Sequence, residues 1–330
     1  MRLVQLQRGI ERRLATVVSD RLQLLRVYES VYSLAAQAIG AGSTLADAAS
    51  GHLSDELLDY EEIYAGRGSW RILPSADHPE SPLKTLVSGT GLTHMASVER
   101  RNSMHAAAQQ ETDSVRMYRW GVEGGKPAPG LCGAAPEWFY KGNGTIVRAH
   151  NEPLVVPEFA EDGGEEPEIA GVYLIDAEGV PRRIGLTQGN EFSDHQFEKR
   201  NYLYLAHSKL RTCSIGPELV IDPSFSSVPG RVSIERNGAL LWSSGIRTGE
   251  EVMCHSLTNI EHHHFKYEQH RRSGDLHIHF FGADAFSYGE GITLDNGDVM
   301  EVHFEGFGRP LRNPVQVRPR EAGLTAVLPI

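Results

Sequence analysis

The 330-residue chain has little of what marks a secreted, membrane-spanning or nucleic-acid-binding protein. It has three cysteines, Cys132, Cys213 and Cys254, widely spaced and without a Cys-x-x-Cys pair. An odd, scattered set argues against a disulfide framework and predicts reduced thiols in a cytoplasmic protein. No apolar run reaches the ~18 residues that would read as a membrane span. The opening MRLVQLQRGIERRLATVV lacks a continuous apolar segment and a small-residue cleavage site, so a secretory signal is not expected. No basic block interrupts the balance of 32 Lys+Arg against 43 Asp+Glu, a formal charge of −11. Nucleic acid and an anionic membrane are therefore not expected partners. A small anionic substrate is still allowed, because a local cation overrides the net field.

What is present is an ordinary globular composition, 40% hydrophobic with 34 glycines, and no internal repeat. MRLVQLQRG predicts a short strand. From Asp20 to Ala41 apolar residues recur at Leu24, Val27, Val31, Leu34 and Ala38, a helical spacing with Gly40 as its stop. Further short helices are expected after Thr44 and after Ser54, a capping residue before DELLDYEEIYAG. From Trp70 a proline-rich strand and linker follow, and beyond Leu86 short apolar runs alternate with glycine turns, which predicts a β-rich body. Ala177–Glu178–Gly179 would turn one hairpin, and Asn237–Gly238, suited to a type I′ turn, another. Asn296–Gly297 is a third expected turn. The acidic run FAEDGGEEP reads as a solvated loop.

The chemistry concentrates in Glu166–Lys209. Glu166 and Glu168 flank one residue at the head of the apolar run Ile169–Ile175, and alternation along a strand puts both on one side. Adjacent carboxylates without a cation repel each other. A hard divalent ion relieves this, and Glu191 in GNEFSDH is placed to complete its shell. Carboxylates and water suit Mg²⁺, Mn²⁺ or Ca²⁺ rather than a thiolate-bound metal. The bland alternative is a set of exposed carboxylates in surface ion pairs. The histidines suggest zinc less well: His262, His263 and His264 are consecutive and cannot all face one ion, and His277 and His279 would share a strand face without a third ligand.

Glu-x-Glu before a strand, an acidic residue in a Gly-Asn-acid-x-Ser turn, and Lys209 downstream resemble the fumarylacetoacetate hydrolase family. The resemblance extends from about Leu86 to Val317, and DNGDVMEVHFEGFGRPLRNPV is similar to the family's closing pattern. It implies an α+β fold, a mixed β-sandwich roll, with a smaller N-terminal α/β unit over residues 1–85 and the catalytic part over 86–330. It also implies a homodimer and a metal held by Glu166, Glu168 and Glu191, where relatives usually carry Asp at the third position. Lys209 would supply positive charge beside the ion; a Schiff base is the lesser use, since a metal already polarises the ketone.

SGTGLTHMASVERRN falls where the family has a His–Glu pair that activates water. Here His94 stands at the family tyrosine and Ser97 at the family histidine, which argues against hydrolysis. Glu99, or else His94, is the expected proton acceptor. Lys141 and Asn143 in PEWFYKGNGTIV, and Asp284 in the loop after HIHFF, are candidate substrate-binding residues, each with a structural role as its alternative. With GNEFSDHQFEKRNYLYLAHSK, the pattern is similar to the branch that dehydrates 2-keto-3-deoxy-pentonates to 2,5-dioxopentanoate. A hydrolase of acylpyruvates or diketo acids and a non-catalytic sugar-acid binder are the other readings.

Overall fold

The computed structural model describes residues 1–95, 112–320 and 323–330. Glu99 and Ser97 lie outside the described residues. Strands β1 (Arg2–Arg8), β2 (Glu11–Val18), β3 (Arg21–Leu25) and β4 (Leu53–Asp59) form an antiparallel meander. Between β3 and β4 lie helices α1 (Val31–Ala41) and α2 (Leu45–Ser50), and β4 runs into α3 (Tyr60–Tyr64). The helical spacing expected from Asp20 is therefore realised only from Val31. Leu22 and Leu24 also fit a two-residue period, and pairing with β2 claims that segment as strand. The helix begins after Ser30, whose hydroxyl accepts from Ser33 N, and ends at Gly42 in the left-handed conformation. The helix expected after Ser54 likewise starts only at Tyr60, capped by Asp59, because β4 pairs with β3 across Leu53–Asp59. Thr44 caps α2 as expected.

The rest of the chain supplies β5 (Arg71–Ile72), β6 (Thr85–Gly91), α4 (Asp113–Gly124), β7 (Glu137–Asn143), β8 (Val147–Arg148) and β9 (Leu154–Val156). Next come β10 (Pro167–Ile175), β11 (Pro181–Asn190), α5 (His195–Arg200), α6 (Leu205–Ser208), β12 (Cys213–Ile215) and β13 (Leu219–Val220). The chain closes with β14 (Val228–Arg236), β15 (Ala239–Thr248), α7 (Leu257–Phe265), β16 (Leu276–Phe280), β17 (Val299–Phe304) and β18 (Leu311–Val317). Thirteen strands make one mixed sheet, along the path β4-β3-β2-β1-β13-β11-β10-β16-β6-β7. The N-terminal meander joins it by the pairing of Leu3 with Leu219. A second sheet runs β15-β14-β17-β18-β9.

The two sheets pack face to face through Ile169, Leu186 and Phe281 on one side and Val232, Val302 and Phe304 on the other. On the opposite face of β10, α1 lays Val31, Leu34 and Ala35 against Val172 and Leu174. Covered on both faces, every residue of β10 is buried, which is why its sequence is a continuous apolar run. The Asn237–Gly238 turn joins β14 to β15 with positive φ at both residues (54° and 78°), as the type I′ geometry requires. Ala177–Glu178–Gly179 turns the β10–β11 hairpin, its ends held by Asp176, whose side chain accepts from Glu178 N and Val180 N.

Candidate metal site

The β10–β11 hairpin builds the site by its register. Pro167 pairs with Asn190 and Glu168 with Gly189, so the next position in the same register sets Glu166 opposite Glu191. A bond from Glu191 N to Glu166 O, 2.9 Å, extends the ladder by that one step. Residues 25 apart in sequence thus become cross-strand neighbours, and Glu168 lies one strand repeat from Glu166 on the same side. All three glutamates are buried, and each offers a carboxylate oxygen lying within 4.8 Å of the others'. The alternative of exposed surface carboxylates does not hold in this geometry.

Two lysines answer the charge. Lys209, which ends α6, places Nζ 2.7 and 2.9 Å from the Glu166 oxygens, 2.7 Å from Glu191 Oε2 and 2.8 Å from Ser193 Oγ. Burial pushes its amine down, but the charges of Glu166 and Glu191 outweigh burial and hold it above the ordinary value. Lys141 on β7 lies 2.5 Å from Glu191 Oε1 and donates to the carbonyls of Phe192 and Lys209. Burial lowers its amine pKa, against the raising effect of Glu191. Its ammonium is thus spent inside the protein, on the shell that fixes Glu191.

Sequence reasoning did not assign a role to His195. The first residue of α5, it places Nε2 2.9 Å from Glu166 Oε1 and stacks on Phe286 at 4.7 Å between centroids. Burial pushes its pKa down, but the hydrogen bond and charge of Glu166 reverse this and raise it. Burial likewise opposes ionisation of Glu166, yet Lys209 and His195 hold its carboxyl well below the usual range. Glu168 behaves oppositely. Burial first, then the neighbouring charges of Glu166 and Glu191, hold its carboxyl well above the usual range. Its Oε2 accepts one backbone bond, from Gly282 N at 2.6 Å; among the described residues no ammonium or imidazole is hydrogen-bonded to it, and the charge of Lys209 is the smallest of the named influences on it. Gly282 is required there: φ is +99°, and an added Cβ would sit 2.1 Å from Thr93 Oγ1.

A recess opens over these groups, lined by Glu166, Glu168, His195, Glu198, Lys209 and Phe286 among others. Among the described sequence candidates, His94, Lys141, Asn143 and Asp284 do not line it. His94 is buried with Nδ1 on Thr93 Oγ1 and Nε2 on Thr248 Oγ1, and burial drives its pKa down to about 3. Asn143 accepts from Thr145 N and Oγ1 and caps a short turn at the far end of β7. Asp284 accepts from Arg247 N in the loop after β16. His277 and His279 do share a strand face, both against His264, with His264 Nε2 2.9 Å from His277 Nδ1.

The donor set fits a hard divalent ion. Three carboxylates and two lysines in contact sum to a charge of about −1, so a dication would leave about +1. Glu168, the carboxylate with no cation hydrogen-bonded to it, is the oxygen donor such an ion would satisfy.

No family model matches the chain. A probable 2-keto-3-deoxyxylonate dehydratase of Haloferax volcanii is 28% identical over 180 residues, 52% of this chain and 58% of that protein. The match thus spans a little over half of that relative. A solved 2-keto-3-deoxy-D-arabinonate dehydratase, complexed with magnesium and 2,5-dioxopentanoate, superposes with a TM-score of 0.71 at 18% identity, over 97% of this chain and 100% of that one. The chain has the fumarylacetoacetate hydrolase fold. Fumarylacetoacetate hydrolase of Exiguobacterium antarcticum shares it at a TM-score of 0.59 and 15% identity, over 96% of this chain and 100% of that one. The fold implied by the Glu-x-Glu resemblance is thereby borne out. Among the described residues no helix is long and apolar enough to cross a membrane.

Proposed function

We propose that this fumarylacetoacetate hydrolase-fold chain is a magnesium-dependent hydro-lyase that converts a 2-keto-3-deoxy-pentonate to 2,5-dioxopentanoate and water. The observation that carries the reading is Glu168, buried beside two paired carboxylates with no cation hydrogen-bonded to it. Glu166, Glu168 and Glu191 would hold the ion. Bound there, Mg²⁺ (or Mn²⁺ or Ca²⁺) would act as a Lewis acid on the C2 ketone and acidify C3.

The chain's own groups do the rest. Lys209, in contact with Glu166 and Glu191, sets a fixed positive charge on the recess wall for the substrate carboxylate. His195 and Gly282 N orient Glu166 and Glu168. Glu99 is the proposed base for the C3 proton, since His94 has both ring nitrogens engaged and is too weakly basic. The C3 proton goes to the base and the C4 hydroxyl leaves as water with a proton, which gives a C3=C4 enone. Loss of a C5 proton with return of a proton to C3 then leaves a C4=C5 enol, which takes a proton at C4 as it gives up its hydroxyl proton and becomes the C5 aldehyde. Lys141, Asn143 and Asp284 are not needed for this reading.

The test is incubation with Mg²⁺ and a 2-keto-3-deoxy-pentonate. The reading expects 2,5-dioxopentanoate to form and a chelator to stop it. Pyruvate release from an acylpyruvate, with no turnover of the sugar acid, would select hydrolysis instead. Thermal stabilisation by the sugar acid without turnover would select a binding protein. The same assay on Glu99→Gln should show slowed turnover at unchanged metal affinity, and wild-type kinetics would remove Glu99 from the scheme.

A further inference from the structure

Residues 281–286, which follow β16, form neither helix nor strand, yet Phe281, Gly282, Ala283, Ala285 and Phe286 are buried. A buried stretch without regular structure must find partners for its backbone elsewhere. Phe281 N reaches Ile169 O at 3.0 Å, and Phe281 O accepts from Thr93 Oγ1 at 2.8 Å. Two further anchors are carboxylates from one short stretch of chain. Glu168 Oε2 takes the Gly282 amide. Glu165 takes Ser287, Oε1 accepting from its N at 2.6 Å and Oε2 from its Oγ at 2.8 Å.

Glu165 is 0% exposed, yet it belongs neither to the acidic cluster nor to the wall of the recess. The run FAEDGGEEP reads as a solvated loop from its charge, but the structure turns Glu165 and Glu166 inward. Among the described residues no lysine or arginine is hydrogen-bonded to Glu165; Ser287 occupies both of its oxygens. A buried carboxylate is costly unless donors satisfy it, and bonds to a charged acceptor are the strong ones. The contact is therefore specific to this glutamate and this serine.

Between the two carboxylate anchors lie the groups that close the recess. Gly282, Ala283 and Phe286 line it. Phe286 stacks on His195 with 16° between the ring planes, and His195 in turn holds Glu166. Freeing the Ser287 end would leave the loop hanging on the Gly282 end, through a carboxylate that is also a metal donor.

We propose that Glu165 is a positioning residue: by clamping Ser287 it holds the 282–287 loop, with Phe286 and the Gly282 amide, against the acidic cluster. It touches neither ion nor substrate and acts through Glu168 and Phe286. Its consequence for metal binding rests on the magnesium reading above; the clamp on the loop does not.

Three variants separate position from charge and bulk. Glu165→Met keeps the volume and removes both acceptors. Glu165→Gln removes the charge but keeps one acceptor, with an amide that can donate to the Ser287 hydroxyl. Ser287→Ala removes the hydroxyl and keeps the backbone amide. Residue-resolved amide exchange by NMR on the metal-free full chain is read at Gly282, an amide that Glu165 does not touch, and Mg²⁺ affinity is read by calorimetry. The proposal expects Gly282 to exchange about tenfold or more faster in Glu165→Met than in wild type, with the amides of β10 and β16 unchanged. Ser287→Ala should show a smaller rise, and Glu165→Gln should stay near wild type. Mg²⁺ should bind Glu165→Met about tenfold more weakly than Glu165→Gln; both lack the charge, so the difference reports position alone. Should Glu165→Met not fold, Ser287→Ala against wild type carries the same comparison. Unchanged exchange at Gly282 overturns the proposal. So does a rise spread equally over β10 and β16, which a merely structural role would give, or equal Mg²⁺ affinity in the two Glu165 variants. A wild type that binds no Mg²⁺ while exchange follows the expected pattern supports the clamp and overturns the magnesium reading instead.

Discussion

Lys141→Met gives the sharpest stability test of how the acidic cluster is held. The side chain is fully buried and its ammonium has three contacts: Glu191 at 2.5 Å and the carbonyls of Phe192 and Lys209, each at 2.9 Å. Methionine fills nearly the same space, so packing changes little. What is lost is the ion pair, and Glu191 is left with Lys209 as its remaining cation. Breaking a buried pair by removing one partner costs about 3–5 kcal/mol, and each stranded carbonyl about 1–3 kcal/mol if water cannot reach it. These losses overlap, and about 4 kcal/mol is a reasonable net, against a total stability of roughly 5–15 kcal/mol. At about 1.4 °C per kcal/mol for a chain of 330 residues, the melting temperature should fall by roughly 6 °C.

Differential scanning calorimetry on metal-free protein measures this directly. The double variant Lys141→Met/Glu191→Gln removes both charges and should recover most of the loss, which the double-mutant cycle reports as coupling. A Lys141→Met protein within about 1 kcal/mol of wild type, or a double variant no better than the single, would refute the assignment of Lys141 to this internal role. A raised KM with unchanged stability would return Lys141 to the substrate.

Glu168→Gln should leave the metal-free protein as stable as wild type or more so, since a buried carboxyl beside two others is removed, while stabilisation by Mg²⁺ in the same scan disappears; metal-dependent stabilisation of the variant would contradict this. Gly282→Ala should cost more than about 1 kcal/mol in a denaturant titration, because φ is +99° and the new Cβ meets Thr93 Oγ1, and it should also weaken Mg²⁺ binding by disturbing the amide that holds Glu168. His277 and His279 have their pKa values lowered by burial to about 3, with neighbouring histidines adding to the effect. Folded values below the unfolded 6.5 mean that their neutral forms stabilise the protein above that pH. The stability is then lost as pH falls from about 6.5 toward 3, at up to ~1.4 kcal/mol per unit for each. A flat denaturation midpoint between pH 7 and pH 5 would contradict that.

The acidic site was legible in the sequence because a strand hairpin converts sequence spacing directly into geometry. Glu-x-Glu before an apolar run, a turn at Ala177–Gly179 and an acidic residue after the return strand suffice to bring Glu166, Glu168 and Glu191 together. Lys209 was also legible as a cation beside them. His195 was not, although it stands in the same GNEFSDH segment: its approach to Glu166 depends on Asp194 capping α5 and on Phe286 arriving from the loop after β16. Asn143 and Asp284 were candidate pocket residues on segment resemblance, each with a structural role as its alternative. Asn143 instead satisfies its local backbone at Thr145 N, as short polar side chains in turns commonly do, and Asp284 accepts from Arg247 N on β15, 37 residues away in sequence. The segment from Asp20 to Leu25 failed for a different reason. Its leucines fit two periods at once, and only the neighbouring strand decides between them.

Diffraction from a crystal soaked in Mn²⁺, at a wavelength that makes manganese scatter anomalously, tests the central claim most directly. One peak bonded to oxygens of Glu166, Glu168 and Glu191 at roughly 2.0–2.3 Å is the expected result. Three carboxylates each hydrated separately, or a peak elsewhere with this cluster empty, would contradict it.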